Sequence, residues 1–342
     1  MALPRSAALN LRRVPSAPLA WLLEPSNPSV RYLALRDLLD RPESDSEADT
    51  ARQSIMRTGP VPMILAKQRR GGFWGVEEDF YVRSKYKGTV WSFLLLAELG
   101  TDGRDPRVRD ACEFLFAWSQ DRTSGGFAYR GSRKSGGQPS GIVPCLSGNI
   151  AWGLERFGLG DDPRTRKAVD WIVRYQRLDD GDGPAPRGWP YDGREPCYGR
   201  HTCFMGPAKA LKALAEIPED RRSPDVRRFL GEASEYFLKH RIFKRSHELS
   251  APGKPFWTRL GFPTLWRFDV LETLDILTRL GIRDERLRDA IELVRSKRDA
   301  SGCWPLENSF ERKTLVSLER TGRPSKWVTL IALRTLKRLG ES

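Results

Sequence analysis

An apolar helical stretch that ends in Leu-Gly or a similar pair recurs along this chain of 342 residues at nearly constant spacing. Five such ends are separated by 58, 60, 63 and 59 residues, and they fall at Gly100, Gly158, Pro218, Gly281 and Gly340. A period this regular is typical of stacked, similar structural units. Each period holds two helical patterns and one glycine-aromatic turn, so the sequence predicts five or six helix hairpins.

Each unit begins with a signal for a helix start. The signal is an Asp or Ser followed by Pro or by a charged residue, at Asp105, Asp162, Ser223 and Asp284. Asp and Ser side chains accept hydrogen bonds from the free amides of the first turn, and Pro fits the first helical position. The helix that follows is amphipathic, which predicts that only one of its sides is buried.

A turn with glycine before an aromatic residue separates the two helices of a unit. Its rings are expected to be mostly buried, and they belong to Trp74, Phe127, Trp189 and Trp304. The second helix of each unit is more evenly apolar, which predicts that it is covered on most sides. We expect these second helices at 30–39, 90–99, 150–157, 208–217, 270–280 and 328–339. Sustained period-two alternation is missing from the sequence, so the predicted fold is all-α.

The glutamines Gln68, Gln120 and Gln176 precede these turns, and the whole pattern repeats about every 60 residues. In this the chain resembles the terpenoid cyclase and protein prenyltransferase superfamily, and within it the small bacterial prenyltransferase/squalene oxidase repeat proteins. The resemblance covers residues 30–339 and implies an α/α toroid, in which an inner ring of helices surrounds a central cavity. We therefore expect an N-terminal extension at 1–29 and a single toroid domain at 30–342.

The composition narrows the partners and the location that are expected. The net charge is +14, but Lys and Arg alternate with acidic residues and form no long basic run, so nucleic-acid binding is not favoured. Apolar runs stay short of the ~20 residues that a transmembrane helix needs, and the N-terminal sequence is not that of a signal peptide. Five cysteines do not suggest a disulfide framework, which favours a cytoplasmic location.

Three cysteines and a histidine are candidate zinc ligands. Cys145 precedes Cys203 by one repeat, so both are expected at the amino ends of adjacent inner helices, and Cys197 and His201 lie close by in sequence. Thiolates and imidazoles are ligands that Zn²⁺ prefers. The alternative is that these are buried structural residues, since cysteine is also a common core residue. The resemblance adds that prenyltransferase β-subunits hold zinc at this mouth with an Asp-x-Cys pair, where this chain has His201 before Cys203.

Asp269 is the candidate catalytic acid. It is expected to begin an inner helix directly after a segment rich in aromatic residues. Burial among aromatic rings raises the pKa of a carboxyl group, which suits it to donate a proton. The alternative is that Asp269 is only the N-cap of that helix.

Aromatic and basic residues near the same helix starts are candidates for substrate binding. Trp91, Trp152 and Trp327 are expected either to line the cavity or to pack within the core. Lys326, Arg130 and Arg133 are expected either to meet an anionic group such as a diphosphate or to be solvated. The resemblance thus implies an enzyme that acts on a hydrophobic, isoprenoid-like small molecule or peptide, with Zn²⁺ as a candidate cofactor. The alternative is a non-catalytic toroid that binds a lipid, peptide or protein and holds a structural zinc.

Overall fold

The computed structural model of the chain describes residues 16–181, 183–192 and 195–341. Residues 1–15 of the predicted N-terminal extension lie outside these ranges. In chain order, the described α-helices are α1 (Ser16–Leu22), α2 (Pro28–Asp37), α3 (Ser46–Ile55), α4 (Pro60–Leu65), α5 (Thr89–Glu98), α6 (Pro106–Trp118), α7 (Pro144–Arg156), α8 (Pro163–Tyr175), α9 (Glu195–Tyr198), α10 (Met205–Glu216), α11 (Pro224–Lys239), α12 (Val270–Arg279), α13 (Arg288–Ser296) and α14 (Lys326–Arg338).

The main helices form an inner and an outer layer. The inner helices are α2, α5, α7, α10, α12 and α14, and all six contribute side chains to one central cavity. From α5 onward, consecutive inner helices pack on one another, and the last of them, α14, returns to pack on α2. Each outer helix packs on the inner helix that precedes it in the chain, as α6 does on α5 and α8 on α7. The predicted alternation of helices is therefore present in the structure.

The predicted helix starts are confirmed at three of the four positions. The side chains of Asp105, Asp162 and Ser223 each accept a backbone N–H bond at the start of an outer helix. Asp284 differs, because its carboxylate caps a short 3₁₀ helix, Glu285–Leu287, that leads into α13. The outer helix of that unit is consequently short, with nine residues.

The glycine-aromatic turns are tied to the inner helices by a recurring hydrogen bond. In three units the backbone N–H of the turn aromatic donates to a hydroxyl in the first turns of the next inner helix. The pairs are Trp74 with Thr89 (3.1 Å), Phe127 with Ser147 (2.9 Å) and Trp304 with Thr329 (2.9 Å). All three rings are buried, as the sequence predicts. The ring therefore fills the base of each hairpin while its backbone fixes the start of the inner helix.

The glutamine before each turn joins neighbouring units. The side-chain amide of Gln68 donates to the carbonyl of Arg107 over 2.7 Å, and that of Gln120 donates to the carbonyl of Arg164 over 2.8 Å. Both carbonyls lie in the first turn of the next outer helix. The same repeat position thus forms the same bond twice, which accounts for the presence of glutamine in the pattern.

The prediction that Trp189 is buried is wrong. Its side chain is 43% exposed, lies edge-on to Tyr175 and donates from Nε1 to the carbonyl of Pro139 over 3.3 Å. The turn of this unit belongs to a long connection between α8 and α10, and Gln176 donates to the adjacent Arg177 carbonyl rather than to the next outer helix. This turn therefore lies on the surface.

Strands are confined, among the described residues, to two short antiparallel hairpins. The strands are β1 (Gly131–Ser132), β2 (Gly136–Gly137), β3 (Lys244–Arg245) and β4 (Glu248–Pro252), with β1 paired to β2 and β3 to β4. Both hairpins lie in connections between helices and leave the helical architecture unchanged. Across the described ranges, none of the helices combines the length and apolarity needed to cross a membrane.

Candidate functional site

The central cavity lies inside the layer of inner helices and has a volume of about 200 Å³. Its wall is charged near the carboxyl ends of these helices, and near their amino ends it combines aromatic residues with the carboxyl groups of Asp269 and Glu272. The apolar part includes Phe262 and Trp327, whose rings stack with centroids 4.1 Å apart, and Trp152 lies further along the wall. Of the three tryptophans that the sequence suggested for the cavity wall, Trp152 and Trp327 therefore line the cavity.

Every inner helix ends at a charged residue that lines the cavity, and we call these six residues the carboxyl-end ring. The ring consists of Asp37, Glu98, Arg156, Glu216, Arg279 and Arg338. Five of them stand two positions before the Gly or Pro that defines the repeat, so the period itself is the signal that would have found them. They were not among the predicted site residues, which were sought at the amino ends. The partial negative charge of helix carboxyl ends favours the arginines and disfavours the acids, so the acids need cationic partners.

Glu216 is held between the arginines of its two neighbouring helices. Arg156 Nη1 lies 3.2 Å from one carboxylate oxygen, and Arg279 Nη1 lies 2.9 Å from the other. Burial by itself would raise the pKa of Glu216, but the two guanidinium groups outweigh burial and lower the pKa to about 2. Glu216 is therefore ionised at neutral pH, and its bonds join α7, α10 and α12.

Asp275 forms the next part of the charged wall. Arg334 Nη2 lies 2.6 Å from the Asp275 carboxylate, and Arg338 Nη1 lies 2.8 Å from it. Arg334 also reaches Asp37 on α2 over 3.0 Å, so one guanidinium joins three inner helices. These cations lower the pKa of Asp275 well below its usual range, although burial opposes them.

Lys212 crosses the cavity. Its ammonium pairs with Glu98 on α5 and with Glu272 on α12, where the Nζ–Oε1 distance is 2.9 Å. It also lies 3.9 Å from the centroid of the Trp152 ring, within reach of a cation–π interaction. Burial opposes the charge of Lys212, but the two carboxylates raise its pKa above the usual value, so it stays protonated.

Lys209 is fully buried one turn before Lys212. Its ammonium lies 2.6 Å from Glu272 Oε2 and 3.1 Å from Thr264 Oγ1. Burial raises the pKa of Glu272, but the two lysines outweigh it and lower the pKa to about 2. Burial also lowers the pKa of Lys209, and Glu272 opposes this change. Glu272 is thus a fixed negative charge in the cavity wall.

Asp269 lines the cavity and is also the N-cap of α12. Its Oδ1 accepts from the Glu272 amide over 2.8 Å, and its Oδ2 accepts from the Gly261 amide over 2.9 Å. The side chain is almost fully buried. Burial, followed by the charge of Glu272, raises the pKa of Asp269 to about 7. The two alternatives for Asp269 are therefore compatible, since the cap residue is itself a perturbed acid at the cavity.

The other predicted substrate residues lie away from the cavity wall. Trp91 donates from Nε1 to the Tyr81 carbonyl over 2.8 Å and is packed among rings. Lys326 pairs with Glu24 over 2.6 Å. Arg130 and Arg133 are exposed in and beside the β1–β2 hairpin. Their predicted roles in substrate binding are untested, and the alternatives of packing and solvation describe their surroundings.

The predicted zinc ligands are only partly gathered. Cys145 lies in the first turn of α7, and burial raises the pKa of its thiol to about 12, with further contributions from nearby Cys203 and Cys197. His201 is exposed and its Nδ1 lies 3.1 Å from the carbonyl oxygen of Asp180. Within residues 16–181, 183–192 and 195–341, no three His, Cys, Asp or Glu side chains are arranged to hold a metal ion. The side chains as placed do not fit zinc, and zinc binding stays a prediction.

Asp180 gathers the three histidines of the sequence. Besides the contact of its carbonyl with His201, its carboxylate lies 3.2 Å from His240 Nε2 and 3.8 Å from His247 Nε2. The ammonium of Lys239 lies 3.2 Å from the same carboxylate. The cluster joins the connection after α8 to the end of α11, and sequence spacing did not reveal it because Asp180 lies at least 60 residues before His240 and His247.

Aromatic side chains and loops meet at the amino ends of the inner helices, where the sequence placed the cavity mouth. Tyr86 packs against Trp91 and Phe310, with ring centroids 4.9 and 4.4 Å apart, and its hydroxyl accepts from Trp266 Nε1 over 3.2 Å. Asn149 on α7 donates to the carbonyl of Leu265 over 3.2 Å. These contacts join the loops before α5 and α12, and they cover the amino ends of the inner helices. The carboxyl-end ring lies at the other ends of the same helices.

Comparisons with known proteins give distant likenesses. The chain is similar to a protein from Actinoplanes (17% identity, 91% of this chain and 89% of that chain, TM-score 0.43). It is also similar to the type II terpene cyclase MstE from Scytonema (15%, 94% and 98%, 0.42) and to a family 76 glycoside hydrolase from a bovine Bacteroides thetaiotaomicron strain (13%, 93% and 68%, 0.48). No family model and no curated protein matches the sequence. Likenesses this distant carry no argument about activity, which has to come from the residues of this chain.

Proposed function

We propose that this protein is an α/α-toroid enzyme that carries out acid–base chemistry on a small polar substrate in its central cavity. The observation that carries the proposal is the lining of that cavity, where six acidic and five basic side chains meet. Buried ion pairs contribute little stability compared with apolar packing of the same volume. A concentration of charged groups with perturbed pKa values in one cavity is instead typical of a functional site.

Asp269 is the proposed proton donor. With a pKa of about 7, its protonated and ionised forms are both populated at neutral pH, as general acid–base chemistry requires. After the proton leaves, the amides of Gly261 and Glu272 hold the carboxylate through the bonds they already make. Glu272, whose own charge is fixed by two lysines, keeps the pKa of Asp269 high. The environment therefore separates the pKa values of two neighbouring carboxyl groups, a pattern found in acid–base sites.

The cavity restricts the substrate in size and polarity. Its volume of about 200 Å³ is below the roughly 300–1,000 Å³ of common ligand pockets, so the reacting part of the substrate is small. An apolar group placed against the ion pairs would remove water from them without replacing its hydrogen bonds. Hydroxyl, amide or charged groups would replace those bonds, which favours a polar substrate.

A second candidate is the isoprenoid-like, hydrophobic substrate that the sequence resemblance implies. The stacked rings of Phe262 and Trp327, together with Trp152, favour it, because they give the cavity one apolar wall. In this arrangement a short hydrocarbon would lie on the rings while a polar head would meet the charged end. Cytoplasmic location stays a prediction under either candidate.

A thermal-shift screen distinguishes the two candidates. We expect small polar compounds, such as sugars and hydroxy acids, to raise the melting temperature, because a ligand that binds only the folded state stabilises it. Once the screen has identified a substrate, Asp269→Asn should lower kcat by about 100-fold or more while keeping the helix cap. If only prenyl diphosphates raise the melting temperature, the hydrophobic candidate replaces the polar one. Unchanged turnover in Asp269→Asn would remove the acid–base role.

A further inference from the structure

A second, larger space lies beside the central cavity. It is a cleft of about 610 Å³ between the α2–α3 hairpin and the segment 100–104 after α5. Four residues line both spaces, namely Leu33 and Asp37 on α2, Ala97 on α5 and Arg156 on α7. The cleft and the cavity are therefore adjacent at the carboxyl ends of these three helices, with only these four side chains shown on both sides. We call the place where the four shared residues lie the neck.

The neck coincides with a gap in the ion pairs of the cavity wall. Ion pairs join α7 to α10, α10 to α12, α12 to α14 and α14 to α2. Between described residues, none joins α5 to α2 or to α7, because Glu98 reaches across the cavity to Lys212 instead. Ion pairs thus join four pairs of neighbouring inner helices. Among the described residues they are missing between α5 and its two neighbours.

The cleft has hydrogen-bond donors without protein partners. Thr101 is only 5% exposed, and its buried hydroxyl lacks a hydrogen-bond partner among the described residues. Within the same ranges, neither the Arg52 nor the Arg57 guanidinium pairs with a carboxylate. Three of the four acids that line the cleft have cationic partners, since Asp37 pairs with Arg334, Asp102 with Arg104 and Glu43 with Arg36. The fourth, Asp49, accepts a bond from Gln53 and leaves, in the described part of the chain, one unpaired carboxylate against the two unpaired guanidinium groups. The uncompensated charge of the cleft is therefore positive.

We propose that the cleft is a second binding site that holds the anionic end of an elongated polar ligand, with Arg52, Arg57 and Thr101 as its donors. This inference rests on the proposed function for the other half of the ligand, which passes the neck into the central cavity. A phosphate or carboxylate group accepts several charge-assisted hydrogen bonds at once, so it matches two guanidinium groups and a hydroxyl. The larger cleft and the small cavity together admit a ligand too long for the cavity alone.

Titration calorimetry with inorganic phosphate tests the cleft by itself. We expect saturable binding in the millimolar range that weakens at higher salt, as exposed charges are screened. The double variant Arg52→Ala/Arg57→Ala should weaken it at least about tenfold, and Thr101→Val should weaken it less. Arg70→Ala, an exposed arginine in the first aromatic turn, is the matched control and should bind as the wild type does. The replaced arginines are exposed, so the variants should fold.

Glucose 1-phosphate tests the continuity of the two spaces. It should bind more tightly than inorganic phosphate, because its sugar ring enters the cavity through the neck. Leu33→Trp should fill the neck and remove this advantage while leaving phosphate binding intact, and Leu249→Trp on β4 is the control. Phosphate binding that is unchanged in the double variant, or equally weakened by Arg70→Ala, overturns the proposal, as does equal affinity for the two compounds. Failure of the proposed chemistry is read separately, from turnover in Asp269→Asn.

Discussion

The backbone amide of Trp304 donates to the hydroxyl of Thr329 across 2.9 Å, and so fixes the last inner helix to the turn before it. The indole Nε1 of Trp304 donates over 2.6 Å to the carbonyl of Val294, ten residues earlier in the outer helix. Trp74 makes the corresponding bond to Ile64, also ten residues earlier. One aromatic residue therefore links the outer helix, the turn and the inner helix of its hairpin.

Replacement of Trp304 by Ala should destabilise the protein strongly. The ring is fully buried, so its loss leaves a cavity and removes the indole bond to the Val294 carbonyl, and we expect a cost of about 3–5 kcal/mol. Trp189→Ala is the matched control, because that ring is 43% exposed and should cost less than about 1 kcal/mol. Urea unfolding followed by circular dichroism measures both. Equal costs would show that burial of the turn ring is not what stabilises the hairpins.

The Lys212→Met variant tests how much the charge network contributes to the free energy of unfolding. The variant leaves Glu98, whose side chain is 16% exposed, without its cation, which should cost up to about 3–5 kcal/mol. Adding Glu98→Gln removes the stranded charge and should restore part of the loss. Arg228→Met breaks an exposed pair with Asp225 and should cost less than about 1 kcal/mol. A Lys212→Met variant as stable as the wild type would mean that the network does not need this cation.

The stability of the protein should depend on pH through Asp269. Its pKa is raised from 3.8 in the unfolded chain to about 7 in the fold, so the folded state holds the proton more tightly. The contribution is fully present below the unfolded value and is lost as pH rises to about 7. Three pKa units correspond to about 4 kcal/mol, so the stability of the wild type relative to Asp269→Asn should fall by about that amount across this window.

The matched control for this pH dependence is another aspartate cap. Asp105 caps α6, and Arg107 lowers its pKa, so its contribution is present above the unfolded value and is lost in acid. The difference in stability between wild type and Asp105→Asn should therefore be constant near neutral pH and shrink only in acid. Guanidinium unfolding at a series of pH values measures both variants. A difference between wild type and Asp269→Asn that is constant with pH would show that Asp269 serves only as a cap.

The thiol of Cys145 should be unreactive in the folded protein. Burial, then the nearby Cys203 and Cys197, raise its pKa to about 12, so at pH 8 only about one thiol in ten thousand is ionised. The thiolate is the species that reacts with iodoacetamide. Mass spectrometry after alkylation should find Cys145 unmodified in native protein and modified in urea. Rapid native alkylation at Cys145 would show that the thiol is activated, as a metal or catalytic site requires.

The helices and most of the hairpin turns follow from local sequence, because the repeat, the caps and the turn aromatics act over short distances. The inner helices end where the period places their Gly or Pro, and Trp74 and Trp304 are buried as expected. Lys209 and Lys212 could not be assigned from sequence, since their partners lie on other helices more than fifty residues away. Asp269 was found by its aromatic surroundings, whereas its raised pKa depends on burial and then on the charge of Glu272, both of which exist only in the assembled cavity.

The bond between Asp37 and Arg334 joins residues that are 297 positions apart. Closing a loop of that length costs chain entropy before any contact rewards it, and such distant contacts slow folding. During synthesis the first hairpins leave the ribosome long before α14 does, so Asp37 cannot pair with Arg334 until α14 has been made. The cavity is consequently complete only when α14 packs. Until then, a nascent chain would expose the charged side chains of the wall to water.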